Sequence, residues 1–219
     1  MINRCIAFLL LLMAAKSVLA QKEADSSSHK TLVSVSFQPF FLMINATRFD
    51  VELQPEGKRY RFIISPEIYS GKTKDVNLFK NQIGVKWDDL AGVGIGLMHK
   101  FQRDEESGVY LAYGAIYRNQ TIRFETEGFR EFEKDGLTYY DYGPVNDKLH
   151  IQSVMVNGIF GYQASLNRFL IDYYLGLGYK KPFVKSRYPD AREYTQTPYL
   201  YTYNGFTLVA GVKLGLKIN

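Results

Sequence analysis

The chain has 219 residues, 46% hydrophobic and 15% aromatic, which suits one domain of barrel or sandwich size and excludes wholesale disorder. Its formal charge of +5 is spread along the chain without a Lys/Arg cluster, so it offers no footprint for nucleic acid. A single cysteine, Cys5, excludes a disulfide framework and a thiolate metal site.

Residues 1–20, "MINRCIAFLLLLMAAKSVLA", read as a signal peptide, with Arg4 in a short leading region, an apolar run from Ile6 to Ala15 and a Val18-Leu19-Ala20 end. The run is too short for a spanning helix, which needs about 20 apolar residues. Cleavage after Ala20 removes Cys5, Arg4 and Lys16, and takes the formal charge from +5 to +3. Residues 21–30, "QKEADSSSHK", are polar and aperiodic and read as a flexible lead, which leaves 31–219 as the folded domain.

From Thr31 onward the chain is a succession of two-residue periods. Strand one, about Leu32 to Leu42, sets Val33, Val35, Phe37 and Phe41 against Ser34, Ser36 and Gln38. After a turn near Met43-Ile44-Asn45, strand two, Thr47 to Gln54, alternates Phe49, Val51 and Leu53 with Arg48, Asp50 and Glu52. "PEGK" turns the chain into strand three, about Arg59 to Ser70, where Tyr60, Phe62, Ile64 and Ile68 oppose Arg61, Ser65 and Glu67. A long polar connection, Gly71 to Gly92, precedes strand four, about Val93 to Gln102, with Val93, Ile95, Leu97 and Phe101 opposite Gly94, Gly96 and Lys100.

"RDEESG" leads into strand five, about Val109 to Phe124, with Arg118 and Gln120 on its polar row, and a second long loop is expected over 125–148. Strand six, about His150 to Gln163, turns through "ASLN" into strand seven, Arg168 to Phe183, where Phe169 to Tyr179 line one face and Asp172, Gly176, Gly178 and Lys180 the other. A third long loop, 184–205, is rich in Tyr and Pro. Strand eight sets Leu208, Ala210, Val212, Leu214 and Leu216 against Gly211, Lys213, Gly215 and Lys217.

Eight strands with long connections after the third, fifth and seventh, and short turns after the second, fourth and sixth, predict an all-β, eight-stranded antiparallel up-and-down barrel. The asymmetry and the strand lengths match a transmembrane barrel, with about 9–11 residues per tilted strand and long outer loops. A closed barrel is also the sheet that leaves no backbone group unsatisfied in hydrocarbon. Arg48, Asp50, Glu52, Arg61, Glu67, Lys100, Arg118, Asp172 and Lys213 all share the row opposite the apolar one. With lipid outside, these nine form an inward, paired charge network; in a lipocalin-like soluble barrel they face solvent around an apolar pocket. Glycines on the charged row favour the first arrangement, because a crowded interior needs small neighbours for long side chains.

The stretches "FQPFFLMINATRFDVELQ" into "FIISPEIYSG", "GYQASLNRFLIDYYLGLGY" and the closing "GVKLGLKIN" resemble the small outer-membrane β-barrels common in Bacteroidetes-type bacteria, and more distantly the outer membrane protein A class. The resemblance implies residence in the outer membrane of a Gram-negative bacterium, contact with its lipid, and a monomer.

Chemistry has few candidates. Some outer-membrane barrels modify lipid A with a His and a Ser, but His150 and Ser153 are three apart and so fall on opposite strand faces; His99 sits on the apolar row. Asp88, Asp89 and Asp141 read as solvated loop carboxylates, and "GVGIG" opens a strand, not the helix a phosphate cradle needs. No catalytic, metal or cofactor site is therefore expected. The tyrosine-rich connections 125–148 and 184–205 are the place for a specific role: they either contact a surface partner or pack on themselves as a cap.

Overall fold

The computed structural model describes residues 31–73, 88–103, 108–186 and 201–218. The expected signal peptide and flexible lead lie outside the described residues, as do 74–87 and 187–200 of the first and third long connections. Eight strands form a closed antiparallel barrel in sequence order: β1 Thr31–Phe37, β2 Ala46–Pro55, β3 Tyr60–Thr73, β4 Asp88–Gln102, β5 Gly108–Lys134, β6 Leu137–Leu166, β7 Phe169–Lys185 and β8 Gly205–Lys217. β-Branched and aromatic residues alternating with polar ones suit a pleated wall with two different faces. All nine charged residues of the predicted network point inward, and the apolar row points out from the wall.

The turns follow from local chemistry. Asn167 adopts φ 55°, and Asn tolerates that left-handed conformation in the tight connection from β6 to β7. Arg168 therefore belongs to the turn, and β7 begins one residue later than the alternation predicts.

Two expectations are corrected. Strand one stops at Phe37, and Pro39–Ile44 form a 3-10 helix. Pro39 has no N–H to give a neighbouring strand, and its fixed φ suits the first helical position. Asn45 closes the helix in the left-handed region at φ 54°. The helix turns Phe41 into the barrel, although the two-residue period assigns it to the outer row.

The second correction concerns 125–148, which is not a loop. β5 and β6 continue through it as a hairpin closed by Asp135 and Gly136, both at positive φ (56° and 75°). That two-residue turn matches the right-handed twist of the flanking strands.

Inside, a layer of apolar side chains including Phe41, Tyr69, Leu90, Ile122, Leu149 and Tyr201 closes the end that carries the long connections. A second apolar group, Ile63, Met98, Tyr110, Ala112, Ile159 and Tyr174, packs lower down beside the charged residues.

Candidate functional site

The inward charges assemble into two chains of alternating sign. In the first, Arg118 pairs with Glu67 (2.7 Å), Glu67 with Arg48 (3.3 Å), Arg48 with Asp50 (3.0 Å) and Asp50 with Lys213 (2.6 Å). In the second, Arg61 pairs with Glu52 (3.3 Å), Glu52 with Lys100 (3.3 Å) and Lys100 with Asp172 (3.2 Å). All nine candidate residues thus lie in the lumen, eight of them buried and Arg118 nearly so. Each carboxylate touches cations or hydroxyls on more than one strand, so the chains stitch opposite walls together. Such groups tolerate low dielectric only when paired and hydrogen-bonded, which is the state found here.

Neutral side chains complete the two chains. Tyr110 donates its hydroxyl to Asp172, and Tyr69 donates to Glu67 (2.8 Å). Tyr174 donates to Gln38 (2.7 Å), whose amide donates in turn to Asp50 (2.7 Å). Arg61 also donates to Gln163 (2.7 Å), and Arg48 to Ser65 (3.1 Å). The Lys100 ammonium sits 4.1 Å from the centre of the Tyr110 ring, a cation–π contact that adds to its ion pairs. Sequence patterning gives these tyrosines and amides no partners, although each falls on the inward parity of its strand, as Tyr174 does beside Asp172 and Gln38 beside Ser34 and Ser36. Two glycines make their room: a Cβ on Gly161 would lie 2.4 Å from the Tyr110 ring, and one on Gly211 2.5 Å from the Tyr174 hydroxyl.

A lipocalin-like arrangement requires the reverse of this interior. Here the described lumen is lined by ion pairs and capped by apolar side chains, with the apolar row outside. Around the wall stand Phe62, Val93, Leu97, Phe160, Leu177 and Leu214, all exposed.

At the end with the long connections, β5 and β6 pair only with each other, among the described residues, from Phe124 and Asp147 onward. At about 3.4 Å per residue the ribbon, Phe124 to Lys134 on β5, is roughly 35 Å long. An isolated hairpin is marginal, and cross-strand pairs brace this one. Phe129 packs edge-on against Tyr142 with ring centres 5.2 Å apart, Phe132 stacks on Tyr139 at 5.5 Å, and Arg130 pairs with Asp141 at 2.7 Å. Tyr142 donates to Glu127 (3.2 Å), a bond that raises its pKa above the ordinary tyrosine range. The expected 184–205 surface is described only at its ends; there Tyr201 turns inward, its pKa raised by burial, and donates to the Ile44 carbonyl (3.2 Å).

The remaining candidates do not converge. His150 faces outward and bonds Thr121 (3.1 Å), whereas Ser153 points into the lumen. His99 lies among Phe62, Phe101 and Tyr113 on the outer face. Asp89 pairs with Lys72, Asp141 with Arg130, and Asp88 is buried at the rim. Among the described residues no three metal-ligating side chains come together.

No family model matches the chain, and no curated protein matches it. Among solved structures, it is similar to CarO of Acinetobacter baumannii, at 12% identity and a TM-score of 0.37 over 87% of this chain and 98% of that one. It is also similar to CarO2 of the same organism, at 11% identity and a TM-score of 0.41 over 87% of this chain and 100% of that one.

Proposed function

We propose that the chain is an integral outer-membrane β-barrel without a general channel and without catalysis, which acts through the surface at its long-connection end. The observation that carries this reading is the apolar belt. On β7 it runs from Phe169 to Tyr179; at about 3.3 Å per residue and a tilt near 40°, that gives a band roughly 25 Å tall, the height of a spanning barrel's hydrocarbon belt. A soluble monomer rarely exposes contiguous apolar area beyond a few hundred Å². The same strands place their charges where lipid cannot reach them.

A lumen crossed by ion pairs from opposite walls supports a structural or contact role over transport. The aromatic hairpin supports the contact role: tyrosine and phenylalanine present area at low entropy cost on a preformed ribbon. The kinship with small Bacteroidetes-type outer-membrane barrels belongs to this proposal and rests on sequence patterns alone. In such a barrel the long connections face outside the cell.

Single cysteines test the reading, because the only native one lies in the expected signal peptide. Glu133→Cys at the hairpin should react with a membrane-impermeant maleimide on intact cells, and Arg168→Cys at the short-turn end should react only after lysis. Equal labelling of both on intact cells, or of neither, would overturn the assignment.

A further inference from the structure

The barrel wall has a breach. β1 pairs with β8 only from Ser34↔Lys217 to Phe37↔Leu214, while β8 continues to Gly205 beside β7. Among the described residues, the stretch 205–213 of β8 therefore has a strand on one side only. Where β1 would continue stands the 3-10 helix Pro39–Ile44, with Phe40, Leu42 and Met43 facing outward.

A cavity of about 80 Å³ lies at this junction. It is lined by Thr207 and Leu208, and by Val209 and Ala210, successive residues of β8. Successive strand residues face opposite sides of the wall, so one cavity touching both runs past the strand's edge. Its outer rim is Phe40, Leu208 and Ala210; its inner lining includes Tyr174, Lys180 and Arg118, whose guanidinium also donates to both oxygens of Glu67 (2.7 and 3.1 Å) behind the lining, and among the described residues the lining itself holds two cations and no Asp or Glu. Nearby on the inner face, Asn157 is buried and neither atom of its amide has a hydrogen-bond partner among the described residues.

We propose that this breach is a lateral binding site for the anionic headgroup, carboxylate or phosphate, of a membrane amphiphile. The site presupposes the membrane reading proposed for the barrel. A volume of about 80 Å³ has room for a carboxylate or phosphate group. The chain stays in hydrocarbon against Phe40, Leu208 and Ala210, and the head enters between the helix and β8 toward the Lys180 ammonium and the Arg118 guanidinium. Buried cations hold anions through charge-assisted bonds that water would weaken. The opening lies in the apolar belt, which selects a lipid-borne anion over one dissolved in water.

The test uses the full chain in phosphatidylcholine nanodiscs supplied with oleate, read by native mass spectrometry of the released barrel. One saturable oleate per barrel is expected, with no comparable adduct from oleyl alcohol or inorganic phosphate. Ala210→Trp, which fills the rim, and Lys180→Met should each lower affinity roughly tenfold or more. Leu97→Trp, on the same outer face across the barrel, should leave it unchanged. Absence of a saturable adduct, equal binding of oleyl alcohol or phosphate, or loss in Leu97→Trp as large as in Ala210→Trp would overturn the proposal. A barrel that enters nanodiscs yet binds no oleate defeats the breach alone; one that does not enter defeats the membrane reading with it.

Discussion

Asp172→Asn is the sharpest test of the interior. Asp172 is buried, accepts from Lys100 at 3.2 Å and from Tyr110, and stands opposite Lys213 in the β7–β8 register. Asparagine keeps the shape and an acceptor for Tyr110 but removes the charge. Breaking a buried pair by deleting one partner costs about 3–5 kcal/mol. Lys100 keeps Glu52 at 3.3 Å, so the expected loss is at the low end, about 3 kcal/mol. That is roughly a hundredfold in the folding equilibrium. With a urea m-value of about 1–3 kcal/mol per molar, the midpoint should fall by roughly 1–3 M. The control is Asp89→Asn, which breaks the Lys72–Asp89 pair at 2.6 Å, both side chains 61% exposed. Exposed pairs contribute about 0–1 kcal/mol. The assay is urea unfolding of the barrel in detergent micelles, followed by tyrosine fluorescence and by the fraction of fast-migrating band in unboiled gels. Equal costs for the two substitutions would refute the claim that burial gives the lumen pairs their weight.

Two further substitutions probe the two faces. Leu177→Arg, at an outward position 64% exposed, should destabilise the barrel in lipid vesicles by about 2–4 kcal/mol, as a cation at mid-membrane does, and urea titration of vesicle-folded protein measures it. On a solvated surface the same change would stay within about 0.5 kcal/mol. Gly211→Ala forces a methyl against the Tyr174 hydroxyl and should cost about 1–3 kcal/mol in the same titration, with Tyr174→Phe recovering part of the loss.

The architecture was legible because each strand carries one parity of apolar residues and one that holds its polar or charged residues and glycines, and a two-residue period leaves no third choice of face. Connection lengths then ordered the ends. The 3-10 helix was hidden because Phe37 and Phe41 keep the strand's parity across Pro39, the residue that ends the pairing. The hairpin was hidden for the opposite reason: both faces of 125–148 meet solvent, so no apolar row marks it, and Asp135-Gly136 alone carried the signal. For the lumen, membership could be read but partners could not. Arg61 and Gln163 are 102 residues apart and meet only because the barrel's closure and register bring them together. The breach beside β8 is a missing pairing, and alternation in a single strand says nothing of its neighbour.

The central claim is that the apolar belt faces lipid and the ion pairs face inward. Gel mobility of fractionated membranes, with and without boiling, tests it most directly. The chain should be found in the outer-membrane fraction, with the unboiled sample migrating faster than the boiled one because the closed barrel resists detergent. A chain recovered in the soluble periplasmic fraction, with one mobility whether boiled or not, would contradict the claim.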